Sequence, residues 1–135
     1  MTRPAPDPAA PSAWSAPGRL RICPSILSAD FARLAEAIAT VEAAGADFIH
    51  VDVMDGQFVP NLTFGPIVVA GIRKMTGLPL DVHLMIVDPL RHLPAFADAG
   101  ANHLIVHVEA VDDPAAAARA IRARGLKAGL SIKPR

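Results

Sequence analysis

After residue 19 the chain alternates between two patterns, and this alternation limits its fold more than any other feature. Short runs rich in Val, Ile, Leu and His cover 20–27, 47–53, 80–85, 103–108 and 127–132. Longer stretches with helical spacing fill the gaps, at about 30–44, 65–76, 89–99 and 113–124. Strands that alternate with helices of this length form βαβ units, and each helix carries the chain back so that successive strands run parallel. The expected class is therefore α/β with a parallel sheet.

The helical stretches carry their own punctuation. Phe31, Leu34, Ile38 and Val41 fall on one stripe after Ser28-Ala29-Asp30, the spacing of a helix with one buried face. Asp88-Pro89 and Asp113-Pro114 each offer a capping carboxylate followed by proline at the first helical position, where a missing N–H leaves nothing unpaired. Gly45, Gly77, Gly100 and Gly125 each precede a strand and suit the left-handed residue that ends a helix. Pro94 falls inside the third helical stretch and is expected to kink it or shorten its first turns.

Two architectures use such units, the open doubly wound sheet and the closed eight-stranded barrel. No Gly-x-Gly-x-x-Gly follows the first run, which disfavours the dinucleotide-binding version. A closed barrel needs about 200 residues or more, whereas the sequence has 135, enough for one small domain. Five strands therefore imply either part of a barrel or a smaller unit that closes by association.

Residues 1–19, with prolines at 4, 6, 8, 11 and 17, read as a disordered Pro/Ala-rich arm without the apolar stretch of a signal peptide. Trp14 is its one residue suited to docking. The expected folded part is 20–135. No apolar run approaches the ~20 residues of a membrane span. Thirteen basic residues balance 13 acidic ones, so no basic field attracts nucleic acid or an anionic membrane. A single cysteine, Cys23, cannot form an internal disulfide and fits a reducing, cytoplasmic setting.

The chemistry gathers on one set of alternating positions. Period two places His50, Asp52 and Met54 on one face of the second run, with Ile49, Val51 and Val53 on the other. Asp81, His83 and Met85 repeat the pattern against Val82 and Leu84. His103, Ile105, His107 and Glu109 repeat it against Leu104, Val106 and Val108, and Ser25 falls between Cys23 and Leu27 in the first run. Inward polar groups on a parallel sheet are costly unless paired or liganded. They crowd toward strand C-termini, where barrels and doubly wound sheets place their chemistry. His50, Asp52 and His83 make a ligand set suited to zinc or another first-row divalent metal. On residue type alone, Met54 and Met85 read as adaptable core fillers. By the same logic His103 reads as structural, His107 and Glu109 as ordinary polar groups, Asp55 as a loop cap and His92 as solvated.

Five motifs in order resemble the ribulose-phosphate 3-epimerase family: Pro24-Ser25-Ile26-Leu27-Ser28-Ala29-Asp30-Phe31, His50-Val51-Asp52-Val53-Met54-Asp55-Gly56, Phe58-Val59-Pro60-Asn61, Asp81-Val82-His83-Leu84-Met85 and His107-Val108-Glu109-Ala110. The resemblance covers 22 to about 133. It implies a (β/α)8 TIM barrel of the ribulose-phosphate-binding type, here represented by about five strands and four helices. It also implies an isomerase of carbohydrate metabolism that interconverts D-ribulose 5-phosphate and D-xylulose 5-phosphate in the pentose phosphate pathway. On this resemblance His50, Asp52 and His83 match metal ligands, for zinc first and Fe2+, Mn2+ or Co2+ as alternatives. Asp52 also matches a catalytic acid/base carboxylate. Ser25, His83, Met54 and Met85 match substrate-contacting positions, the substrate being a small phosphorylated ketose and the full-length protein a homo-oligomer.

The family's second acid/base aspartate, also its fourth metal ligand, belongs to a later strand than those in this sequence, as does its phosphate-binding region. Lys133 stands where the family usually has Asn before Pro. The 135-residue chain alone is therefore expected to lack epimerase turnover and to self-associate through raw sheet edges. A related enzyme acting on allulose 6-phosphate, and a non-catalytic half-barrel serving as a binding or assembly module, are the alternative readings. Met54 counts against the related decarboxylase and synthase barrels, which carry lysine two residues after the strand aspartate.

Overall fold

The computed structural model describes Gly18 and residues 20–134. The expected arm, with Trp14, lies outside them apart from Gly18. Four parallel strands form one sheet in sequential order: β1 (Ile49–Met54), β2 (Leu80–Met85), β3 (His103–His107) and β4 (Lys127–Ser131). Four helices, α1 (Leu34–Ala43), α2 (Pro66–Met75), α3 (Pro89–Asp98) and α4 (Pro114–Ala123), alternate with them. Neighbouring helices pack in the same sequence, α1 on α2, α2 on α3 and α3 on α4. A doubly wound sheet reverses its strand order at a switch point. This sheet never does, so helices line one face as they line the outside of a barrel wall.

The core lies between that face and the helices. Ile49, Val51, Leu80, Val82, Leu84, Leu104 and Val106 are buried against Ile38, Val69, Ile72, Leu93, Phe96, Ala117 and Ile121. The opposite face carries His50, Asp52, Met54, His83 and Met85, each part-exposed.

Several local expectations need correction. The first run, 20–27, is not a ladder strand. It lies extended beside β1 with a single parallel bridge, Ser25 to His50, then turns into a 3-10 segment at Ile26–Ser28. Its carbonyls do pair, Asp47 N donating to Ile22 O at 2.8 Å and His50 N to Pro24 O at 2.9 Å. Its own donors are diverted: Ile22 N goes to the Asp47 carboxylate at 3.0 Å, and Pro24 has none. The expected helix from 30 starts as a 3-10 turn, Phe31–Arg33, with Asp30 accepting from Ala32 N at 3.0 Å. Phe31 leaves the buried stripe, half-exposed, and packs on Phe64 with ring centroids 4.8 Å apart.

Asp113 caps α4 as expected, accepting from Ala115 N and Ala116 N. Asp88 does not cap α3, because at φ 48° its backbone is left-handed and its side chain makes no capping bond. Gly45, Gly100 and Gly125 take the expected positive φ, whereas α2 ends on extended Thr76. There the Arg73 guanidinium donates to Thr76 O at 2.5 Å and Leu78 O at 2.8 Å, which does the work expected of Gly77. Helix α3 runs unbroken through Pro94.

Candidate metal centre

Register builds the site. In the parallel pairing His50 sits opposite Asp81, Asp52 opposite His83 and Met54 opposite Met85. Two strands thus bring four polar side chains into two rows, with the methionines one row nearer the strand ends. The bridge from Ser25 adds a hydroxyl from the preceding segment.

Asp52 is the hub. One carboxylate oxygen accepts from His50 Nε2 at 3.1 Å and from His83 Nδ1 at 3.2 Å. The other accepts from Ser25 Oγ at 2.6 Å. Burial works to raise the Asp52 pKa, but the hydrogen bonds from His50, His83 and Ser25 hold it well below the usual carboxylate range. His50 is pushed up to about 11 by its hydrogen bonds to Asp52 and Asp81, against burial. Beneath Asp52 lies buried Asp81, which accepts from His50 Nδ1 at 2.7 Å and contacts His103 Nδ1. Burial opposes its ionisation as well, and the hydrogen bonds from His103 and His50 prevail.

Donor atoms of His50, Asp52 and His83 lie within 4.8 Å of one another. Two imidazoles and a carboxylate brought together are a donor set that suits a borderline divalent metal such as zinc. The residues present therefore fit a divalent ion.

The sheet gathers more than sequence analysis singled out. His107, read as an ordinary polar group, is buried and places Nε2 2.9 Å from His83 Nε2, its ring stacked on that of His83 at 4.9 Å. His103, read as structural, reaches Asp81. Asp55 caps its loop as expected, accepting from Gln57 N and Phe58 N, and in addition from Val87 N at 2.8 Å beyond β2. That loop lays Phe58 against His107, and Lys133 Nζ sits 3.6 Å above the Phe58 ring. His92 is exposed.

Residues 21–135 match the model of the ribulose-phosphate 3-epimerase family. Among curated relatives, a ribulose-phosphate 3-epimerase of Bacillus subtilis is 54% identical over 115 residues, 85% of this chain and 53% of that protein. One of Mycobacterium tuberculosis is 57% identical over 113 residues, 84% of this chain and 48% of that protein. A chloroplastic ribulose-5-phosphate-3-epimerase of Arabidopsis thaliana is 51% identical, covering 84% of this chain and 41% of that protein. The chain spans about half the length of the curated relatives it matches. On the family match over 21–135 and identities above 50% to these relatives, this chain belongs to the ribulose-phosphate 3-epimerase family.

Proposed function

We propose that this chain carries the metal-binding half of a 3-epimerase active site for a phosphorylated ketose, with D-ribulose 5-phosphate and D-xylulose 5-phosphate as the substrate pair. The observation that carries the reading is the convergence of His50 Nε2 and His83 Nδ1 on one oxygen of Asp52. His50, Asp52 and His83 would hold a divalent ion, zinc being the best match to the donors. When bound, the ion supplies positive charge beside the substrate oxygens that become negative as an enediolate forms.

Inverting C3 requires a proton to leave one face of the carbon and another to arrive on the opposite face. Asp52 is the base for its face. Its carboxylate is in the ionised form, the one able to accept a proton. Ser25 Oγ, 2.6 Å from Asp52, steadies the carboxylate and offers a hydroxyl to the sugar. Met54 and Met85, side by side in register one row above, give the planar intermediate an apolar, polarisable surface without an acidic proton to quench it. His83, tied to both Asp52 and His107, orients toward the same space. The proton on the far face needs a second acid; Asp81 is buried beneath His50, and Glu109, beside His107, accepts from Lys133 N at 2.8 Å.

The test is solvent exchange. D-ribulose 5-phosphate is incubated in D2O with the chain and zinc, and deuterium at C3 is followed by NMR. Deuterium at C3 with little net epimerisation, lost in Asp52→Asn, is the expected result. No incorporation, or incorporation that Asp52→Asn leaves untouched, would overturn the assignment.

A further inference from the structure

The centre just described rests on a second polar row, of which the proposed reaction uses His50 alone. His50, Asp81 and His103 are register partners across β1, β2 and β3. The Asp81 carboxylate is buried, with a residue exposure of 7%. One of its oxygens accepts from His50 Nδ1 at 2.7 Å, with Cys23 Sγ at 3.7 Å as a weak donor to the same atom. Its other oxygen contacts His103 Nδ1. Gly129 on β4 makes room for this row, since a Cβ there would stand 2.8 Å from both His103 Nε2 and Ile105 Cγ1.

A buried carboxylate is kept only when its partners repay its desolvation. Here the partners also decide which nitrogen of His50 faces the metal centre. With Nδ1–H donated to Asp81, the lone pair able to bind a cation is on Nε2, and Nε2 is the atom pointing at Asp52. Carboxylates behind metal-binding histidines fix the tautomer and ring orientation in this way and increase ligand basicity. We infer that Asp81, itself clamped by His103, is a positioning residue for His50 that holds the imidazole with Nε2 toward the metal. The inference rests on the metal centre of the preceding section. A competing arrangement exists on the same atoms: Cys23, His50 and Asp81 also bring donor atoms within 4.8 Å. A metal there would take His50 through Nδ1 and make Asp81 a ligand.

The two arrangements separate by NMR on the 15N-labelled chain, titrated with zinc. The expected spectrum has a proton on His50 Nδ1 before and after zinc, while Nε2 loses its proton on binding. A bare Nδ1 in either state overturns the inference. If zinc moves no histidine signal, the metal reading fails by itself, and the Nδ1 proton in the metal-free spectrum still decides the contact with Asp81. Asp81→Asn then measures the effect. An amide can donate to Nδ1 and leave the proton on Nε2, so zinc affinity by calorimetry should fall about 10–100-fold with the circular dichroism spectrum unchanged. Parent-like affinity overturns the inference. Should Asp81→Asn not fold, Cys23→Ser with cobalt replaces it. A cobalt-loaded parent chain with no thiolate charge-transfer band, and a variant of unchanged affinity, support positioning. A thiolate band abolished by Cys23→Ser overturns it.

Discussion

Gly100→Ala tests how the framework under the site is fixed. Gly100 ends α3 at φ +96°, and an added Cβ would meet Arg73 Cγ at 2.7 Å and Cδ at 2.8 Å. The Arg73 stem cannot simply swing away. Its guanidinium donates to Thr76 O, Leu78 O and, at 3.1 Å, Asn102 Oδ1, and that same Asn102 oxygen accepts from Leu80 N at 2.9 Å. This cluster therefore sets where β2 begins, and with it the positions of Asp81 and His83. Left-handed backbone costs a non-glycine residue about 1–2 kcal/mol. Losing one charge-assisted hydrogen bond of a half-buried guanidinium adds roughly 1.5–3 kcal/mol. Stiffening of the unfolded chain returns about 0.4–1 kcal/mol. The expected loss is about 3 kcal/mol, a large share of the roughly 5–15 kcal/mol of a whole domain. Gly45→Ala is the matched control, because its φ is +94° but nothing lies within 4 Å of the added Cβ. It carries the backbone cost alone, about 1 kcal/mol net. Urea unfolding of both variants, compared at constant m, reads the difference directly. Equal losses would refute the role given to Arg73.

Other consequences are equally open to measurement. Leu84→Ala, at a fully buried β2 position, should cost about 2–5 kcal/mol in urea unfolding; less than about 1 kcal/mol would mean that the helical face is not packed as described. Asp55 has its pKa lowered: burial opposes ionisation, and the N–H groups of Val87, Gln57 and Phe58 outweigh it. A carboxylate depressed in the fold contributes stability above its unfolded pKa and loses it as pH falls. Asp55→Asn should therefore lower the thermal midpoint at neutral pH, and the two chains should converge as the solution is acidified below about pH 4; a gap that persists in acid would show a steric cause. Strand β4 lies at one edge of the described sheet, with Leu130 49% exposed and Ile132, just past the strand, 72% exposed. Exposed apolar edges template further pairing, so sedimentation velocity should show self-association that grows with concentration, and a single monomer boundary at all concentrations would contradict this.

The period-two pattern was enough to read the two faces of β1 and β2, because a strand's burial follows from alternation alone. Val51 and Asp52 went to opposite sides as their chemistry demands. Register was not readable, since it depends on how two strands slide past each other. That is why Asp81 looked like one more polar residue of an alternating run, although pairing sets it between His50 and His103. The contact of His107 with His83 was hidden in the same way; their adjacency depends on how β2 and β3 meet near their ends. Residues 20–27 misled for a local reason. Their composition is that of a strand, but Pro24 lacks a donor and the Asp47 carboxylate captures the N–H of Ile22, so the ladder stops at one bridge. Asp88-Pro89 carries the sequence signature of a helix cap, yet the loop after β2 turns through a left-handed residue there and the Asp88 side chain makes no capping bond. No helix of the described residues is long and apolar enough to cross a membrane.

The most direct measurement is a calorimetric titration of the metal-free chain with zinc, repeated for His50→Ala, Asp52→Ala and His83→Ala. One ion per chain is expected, with each substitution weakening binding by more than the roughly 10–100-fold that loss of a supporting residue brings. Absence of binding, or a variant among the three that binds zinc as the parent does, would contradict a shared metal centre on β1 and β2.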